Sequence, residues 1–139
     1  MPINTISIIG LGYIGLPTAA AFAQNRKQVI GVDINEDTVN IINEGRIHIT
    51  EPGLEIIVNE AIDKGYFKAV TQPEPADVFL IAVPTPFFNQ QKKIYPEPDL
   101  SFVESAARNI ASVLRKGNLI ILESTAPVGT TELMAQWLA

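Results

Sequence analysis

Three glycines crowd one short apolar segment, "IIGLGYIG" (residues 8–15), at Gly10, Gly12 and Gly15. Glycine loses more conformational freedom on folding than any other residue, so three this close need a reason. The spacing is G-x-G-x-x-G. Before it comes Thr5 to Ile9, a β-branched apolar run that reads as a strand buried on both faces. After it comes Tyr13 to Gln24, rich in alanine, which reads as a helix with Pro17 confined to its first turn. Gln28 to Val32 reads as a second buried strand. It ends at Asp33, 18 residues past Gly15.

The bare glycine pattern is weak. A strand before it, a helix after it and an acid closing the next strand make it the dinucleotide-binding arrangement. In that arrangement Gly10 permits the turn out of the strand. Gly12 lets a pyrophosphate approach the backbone, and Gly15 lets the helix pack closely on the sheet. The phosphates meet free N–H groups at the positive end of the helix. Asp33 accepts hydrogen bonds from the adenosine ribose, and its charge repels a 2′-phosphate, so NAD is expected over NADP. The alternative is a glycine-rich turn with no ligand, with Asp33 capping the next helix.

The rest of the chain continues the alternation. Asn35 to Asn43 reads as a helix closed by Gly45, and Pro52 to Lys64 as another, spaced by Ile56, Ile57, Glu60 and Ala61. Phe67 to Thr71 and Asp77 to Val83 read as strands. Phe87 to Pro98 reads as a mobile loop. A helix capped by Asp99 or Ser101 runs to about Arg115. Asn118 to Glu123 is the fifth strand, and Thr130 onward a last helix. The expected fold class is α/β, a doubly wound, mostly parallel sheet with helices on both faces. A crossover helix should deliver the chain to a further strand, and none follows Trp137-Leu138-Ala139. The expectation is one domain, residues 1–139, cut from a longer protein.

Composition removes several function classes. With 139 residues the chain suits one domain, and a domain of that size buries about two thirds of its unfolded surface. A net charge of −5 argues against a nucleic-acid partner, which would need a basic face. There is no cysteine, hence neither a disulfide nor a Cys-based zinc site, and the Asp and Glu residues are scattered. No charged residue falls between Pro2 and Asn25, which raises a membrane segment. The glycines, Pro17 and the mid-segment change of period argue instead for a strand–turn–helix of similar hydropathy.

Two further loops follow strands: "VPTPF" from Val83 to Phe87 and "ESTAPVGTT" from Glu123 to Thr131. If strand one neighbours strand four and four neighbours five, both converge with the glycine loop on one crevice. Thr85 and Thr125 would then bring hydroxyls there; otherwise they are turn residues or caps. His48, the sole histidine, falls in a loop and reads as a packing or surface residue.

Taken together, "IIGLGYIGLPTAAAFA", "QVIGVDIN", "EPGL", "IAVPTPF", "ESAAR" and "ILESTAPVGTTE" resemble the nucleotide-sugar dehydrogenases of the UDP-glucose/GDP-mannose dehydrogenase family. The similarity runs through the whole chain and is strongest toward the branch acting on UDP-N-acetyl-D-mannosamine. The resemblance implies a Rossmann-type NAD-binding domain of a cytoplasmic enzyme about three times as long. Such an enzyme oxidises the C6 alcohol of a UDP-sugar to the uronate in two NAD-dependent steps, through a thiohemiacetal and a thioester on a cysteine. It also implies a homodimer, built partly from helices outside this chain. Gly10, Gly12, Tyr13, Ile14 and Gly15 would hold the pyrophosphate and Asp33 the ribose. Val83 and Thr85 would lie along the cofactor. Thr125 would sit near the nicotinamide, positioning a catalytic water or polarising the reacting oxygen, with Glu123 and Ser124 nearby. The cysteine and the lysine base belong to later segments, so this chain alone is expected to be inactive. The alternatives are a UDP-glucose or other UDP-sugar dehydrogenase, another GxGxxG dehydrogenase such as a hydroxyacid or 6-phosphogluconate type, a non-catalytic NAD-binding module, or a structural interaction module.

Overall fold

The computed structural model describes residues 2–88 and 97–139. The element order is β1 (Thr5–Ile9), α1 (Gly15–Gln24), β2 (Gln28–Val32), α2 (Glu36–Asn43), α3 (Leu54–Asp63), β3 (Phe67–Val70), β4 (Val78–Ile81), α4 (Ser101–Ala111), β5 (Leu119–Leu122) and α5 (Thr130–Leu138). The five strands form one sheet in the order β3-β2-β1-β4-β5, every neighbouring pair parallel. The expected adjacency of strands one, four and five is therefore observed.

Side-chain alternation splits the sheet between two cores. Ile6, Ile8, Val29, Val78 and Leu80 face α1, α2 and α3, which contribute Leu16, Ala19, Ile42 and Val58. Ile9, Ile30, Val32, Phe79 and Ile81 face α4 and α5, which contribute Ala107, Ile110 and Met134. This two-sided burial is why the strands read as unbroken apolar runs.

Several boundaries differ from the sequence expectation. α1 begins at Gly15 because Gly12 to Ile14 stay out of the helix as a turn. α2 is capped by Asn35, whose Oδ1 accepts from the amides of Asp37 and Thr38 at 3.0 and 3.2 Å. α3 begins at Leu54 rather than Pro52 and buries Leu54, Val58 and Ala61, leaving Ile56 74% exposed. α4 stops at Ala111, and the next hydroxyl, on Ser112, takes the carbonyl of Asn109 at 2.8 Å. Much of the expected mobile loop, residues 89–96, lies outside the described residues. Its base is pinched by an antiparallel bridge between Phe87 and Pro98.

The chain passes from β3 to β4 without a helix, through residues 71–77, crossing from one side of the β2–β1 pair to the other. That jump makes the switch point between β1 and β4, where α/β sheets open a crevice at the carboxyl ends of their strands. Asp77 locks the end of the jump, directly before β4. Its Oδ2 accepts the amides of Asn4 and Thr5, both at 2.9 Å. Those two amides, Thr5 first, hold the Asp77 carboxyl below the ordinary aspartate range. The lowered folded value means the stabilisation is complete above about pH 3.9 and disappears as pH falls below it through the folded value. Thermal melts of the chain against pH should therefore show a loss of stability below pH 4 that is smaller in Asp77→Asn. An identical acid profile in the variant would contradict the lock.

Candidate cofactor site

The crevice is built first from β1 and its turn. Gly10 has φ +96°, and its amide donates to Val32 O at 2.8 Å. A Cβ there would stand 2.6 Å from the carbonyl oxygen of Ala82, just past β4. At Gly15 a Cβ would stand 1.7 Å from Gly10 O, so the first turn of α1 lies directly on the glycine turn. Both glycines are demanded by the protein's own packing.

Gly12 differs. A Cβ built on it meets no atom within 4 Å, and its φ lies outside the left-handed region. No described atom requires glycine there, and the space is open to a group approaching from outside. The amides beside it tell the same story. Leu11 N donates to Asp33 Oδ2 at 3.0 Å, but among the described residues no acceptor takes the amides of Gly12, Tyr13 or Ile14. α1 has no side-chain cap at Ile14 and no acid in its first turn. A helix mouth left this open presents unpaired N–H groups to an anion.

Asp33 stands beside the mouth, half-buried. Its two carboxylate oxygens accept from Leu11 N and, at 2.9 Å, from Asn35 N. Each oxygen keeps a further lone pair for a hydroxyl donor. Asp33 does not cap α2, because Asn35 does.

Above these residues lies a cavity of about 620 Å³, within the range of small-molecule sites. Its floor is the mouth from Gly10 to Ile14. Its sides are Val32 to Ile34, Ala82 to Pro84, and Thr71 and Pro73 from the β3–β4 connection. Among the described lining residues Asp33 is the one charged side chain, so the groups they offer an anion are main-chain amides.

The far wall is one that sequence reading missed. Ser101, Ser105 and Asn109 of α4 face the cavity with Phe102. Their spacing of four was visible in "SFVESAARN" as a stripe of small polar residues, but only the tertiary fold shows that it faces this crevice. Hydrogen bonds from Ser101, side chain before backbone, hold Asp99 at the head of α4 below the ordinary aspartate range.

Of the sequence-predicted residues, Gly10, Gly12, Tyr13, Ile14, Asp33 and Val83 line this cavity; Gly15, Thr85 and Thr125 do not. Gly15 lies beneath the floor. Thr85 and Thr125 meet each other instead, with Thr85 Oγ1 donating to Thr125 O at 2.5 Å. The Thr125 hydroxyl is exposed. The loop after β5 abuts the cavity through Ser124, whose Oγ donates to Val83 O at 2.8 Å. His48 is exposed in a loop away from this lining. Among the described residues, no helix is long and apolar enough to cross a membrane.

Residues 4–139 match the family described as UDP-glucose/GDP-mannose dehydrogenase family, NAD binding domain. The chain is 63% identical over its whole length to UDP-N-acetyl-D-mannosamine dehydrogenase of Yersinia pestis, covering 32% of that protein. It is 57% identical to the NDP-N-acetyl-D-galactosaminuronic acid dehydrogenase of Ralstonia nicotianae, over 98% of this chain and 31% of the relative. Among solved structures, the UDP-N-acetyl-mannosamine dehydrogenase of Staphylococcus aureus superposes with a TM-score of 0.89 at 43% identity, over 96% of this chain and 31% of that one. The chain thus spans about a third of the length of the relatives it matches.

The three glycines should respond differently to alanine. Gly12→Ala should leave the melting temperature within about 2 °C, since its Cβ meets nothing, and should weaken NAD+ at least about tenfold by crowding the diphosphate. Gly15→Ala should cost about 3 kcal/mol or more of stability through the clash with Gly10 O. Unchanged NAD+ binding by Gly12→Ala in calorimetry would contradict the ligand explanation of that glycine.

Proposed function

Because this chain belongs to the UDP-glucose/GDP-mannose dehydrogenase family, as its NAD-binding domain, we propose that it is the cofactor-holding part of a longer nucleotide-sugar dehydrogenase. That enzyme oxidises the C6 alcohol of UDP-N-acetyl-D-mannosamine to the uronate in two NAD-dependent steps. The observation that carries the reading is the open helix mouth: Gly12 with empty space where a Cβ would be, beside amides that no group among the described residues accepts. The names of the relatives support the substrate. The Ralstonia relative favours, as a second reading, the corresponding galactosamine nucleotide.

The residues would divide the work as follows. Amides from Gly12 to Gly15 hold the diphosphate, and Asp33 accepts from the adenosine ribose hydroxyls. Val83 and Phe102, with Ser101 and Ser105 beside them, form the walls that keep water from the cofactor. When bound, NAD+ supplies the hydride acceptor. Thr85 fixes the backbone at Thr125, and the free Thr125 hydroxyl positions a water or polarises the reacting oxygen. A thiol nucleophile would come from outside these residues, since the chain has no cysteine. We place the parent protein in the cytoplasm as a homodimer, with no membrane or nucleic-acid partner.

Calorimetry on the 139-residue chain should show NAD+ binding, with NADP+ at least about tenfold weaker because its 2′-phosphate meets the Asp33 carboxylate. Mixed with NAD+ and UDP-N-acetyl-D-mannosamine, the chain should produce no NADH, whereas its full-length parent should. Equal affinity for the two cofactors would overturn the role given to Asp33. Turnover by the chain alone would overturn the division of labour, and a parent that turns over only the galactosamine nucleotide would establish the second reading.

A further inference from the structure

The segment that follows β4 carries two adjacent aromatic side chains that this domain does not cover. Phe87 is 66% exposed and Phe88 47%. They stand on one arm of a short antiparallel pair. The amide of Phe88 donates to Glu97 O at 2.8 Å and that of Asp99 to Pro86 O at 2.6 Å, with Phe87 opposite Pro98 between them. Phe87 and Pro98 thus face each other without bonding, so the proline costs the ladder no donor. The return arm is anchored at the head of α4, where Asp99 Oδ1 accepts the amide of Ser101 at 2.9 Å.

Successive side chains on an extended arm point to opposite faces. Laying this arm on its own domain would therefore cover one phenylalanine and leave the other. Single apolar residues on a surface are ordinary. Two neighbouring phenylalanines, one on each face of a hydrogen-bonded arm, need a receiver that reaches both faces. A third apolar side chain, Val128, is fully exposed on the loop after β5. Thr85 joins that loop to the arm's segment through Thr125 O.

The location decides what the receiver is. Pro84 lines the cavity and Phe87 follows in the same segment, so the arm is rooted at the β4 side of the crevice. Asp33 closes β2, on the other side of β1. With the adenosine on Asp33 and the diphosphate over the mouth, the nicotinamide half extends toward β4 and β5. The sugar nucleotide must meet it there. That substrate carries its own diphosphate, and among the described lining residues no basic side chain awaits it. Its holder belongs to the larger part of the parent protein, which this chain does not span: the chain covers 32% of the Yersinia relative.

We propose that Phe87 and Phe88 dock that substrate-holding part of the same parent chain. An apolar cleft in it receives the arm from both faces and fixes its position over the nicotinamide end of the crevice. The proposal rests on the cofactor reading above.

Photo-crosslinking in the full-length parent tests it. p-Benzoylphenylalanine in place of Phe87, and separately of Phe88, should on illumination link to peptides outside the stretch matching residues 1–139. In a mixture of unlabelled and isotope-labelled parent, both peptides of each linked pair should carry the same label. Links confined to that stretch, pairs of mixed label (a second copy as the receiver), links that need added sugar nucleotide, or no link from either position would overturn the proposal. Phe87→Ser gives an independent arm. In the 139-residue chain it should leave the melting temperature within about 2 °C and NAD+ affinity within about twofold, because the ring is exposed and outside the cavity lining. In the parent it should lower the melting temperature by about 3 °C or more. It should also raise KM for the sugar nucleotide at least about threefold, by misplacing the substrate. A Phe87→Ser parent as stable and as active as the unaltered one would overturn the proposal. If the unaltered chain does not bind NAD+, the cofactor reading fails, while the crosslinks still decide the docking.

Discussion

Three stretches of backbone meet where side chains would not fit, and the site depends on that contact. The glycine turn carries Gly10 O to within 1.7 Å of where a Cβ of Gly15 would stand, and Gly10 itself lies against the carbonyl of Ala82. Close contact brings the first turn of α1 down onto the carboxyl ends of β1 and β4. The amides of that turn, aligned with the positive end of the helix, then face outward at the switch point of the sheet. Among the described residues the lining of this crevice thus offers an anion main-chain amides and no basic side chain.

The remaining elements hold this contact in register. Asp33 is fixed by amides on both sides, from Leu11 in the turn and from Asn35 at the head of α2. One carboxylate thus sets the distance between the mouth and the acid that closes β2. Ser124 and Thr85 link the loop after β5 to the segment after β4. These bonds are few and local. Most of the free energy that keeps the segments together comes from the two apolar cores on either face of the sheet.

Much of this was legible in the sequence because the strands are fully buried. Runs such as "TISII" and "QVIGV" are bounded by Gly10 and Asp33, and both fell where expected. Tyr13 and Ile14 were not separated from α1, because tyrosine and isoleucine carry no breaker signal. The buried face of α3 was not read from the sequence, for a different reason. Ile56 is as apolar as Leu54, and only the neighbouring strands decide which of them is covered. α4 was recognised as a helix, but its Ser101–Ser105–Asn109 wall depends on where the chain lands after residues 89–96. The hydrogen bond from the Thr18 hydroxyl to the Glu123 carboxylate left no trace at all, since no local pattern joins residues 105 positions apart.

The central claim is that bare main-chain amides at the mouth of α1, with Asp33 next to them, are what an anionic dinucleotide binds. A crystal structure of the 139-residue chain grown with NAD+ tests it most directly. The account predicts diphosphate oxygens within hydrogen-bond distance of amides between Gly12 and Gly15, and ribose hydroxyls on the Asp33 carboxylate. A dinucleotide found elsewhere on the chain, or one whose diphosphate faces a basic side chain with the mouth left empty, would contradict it.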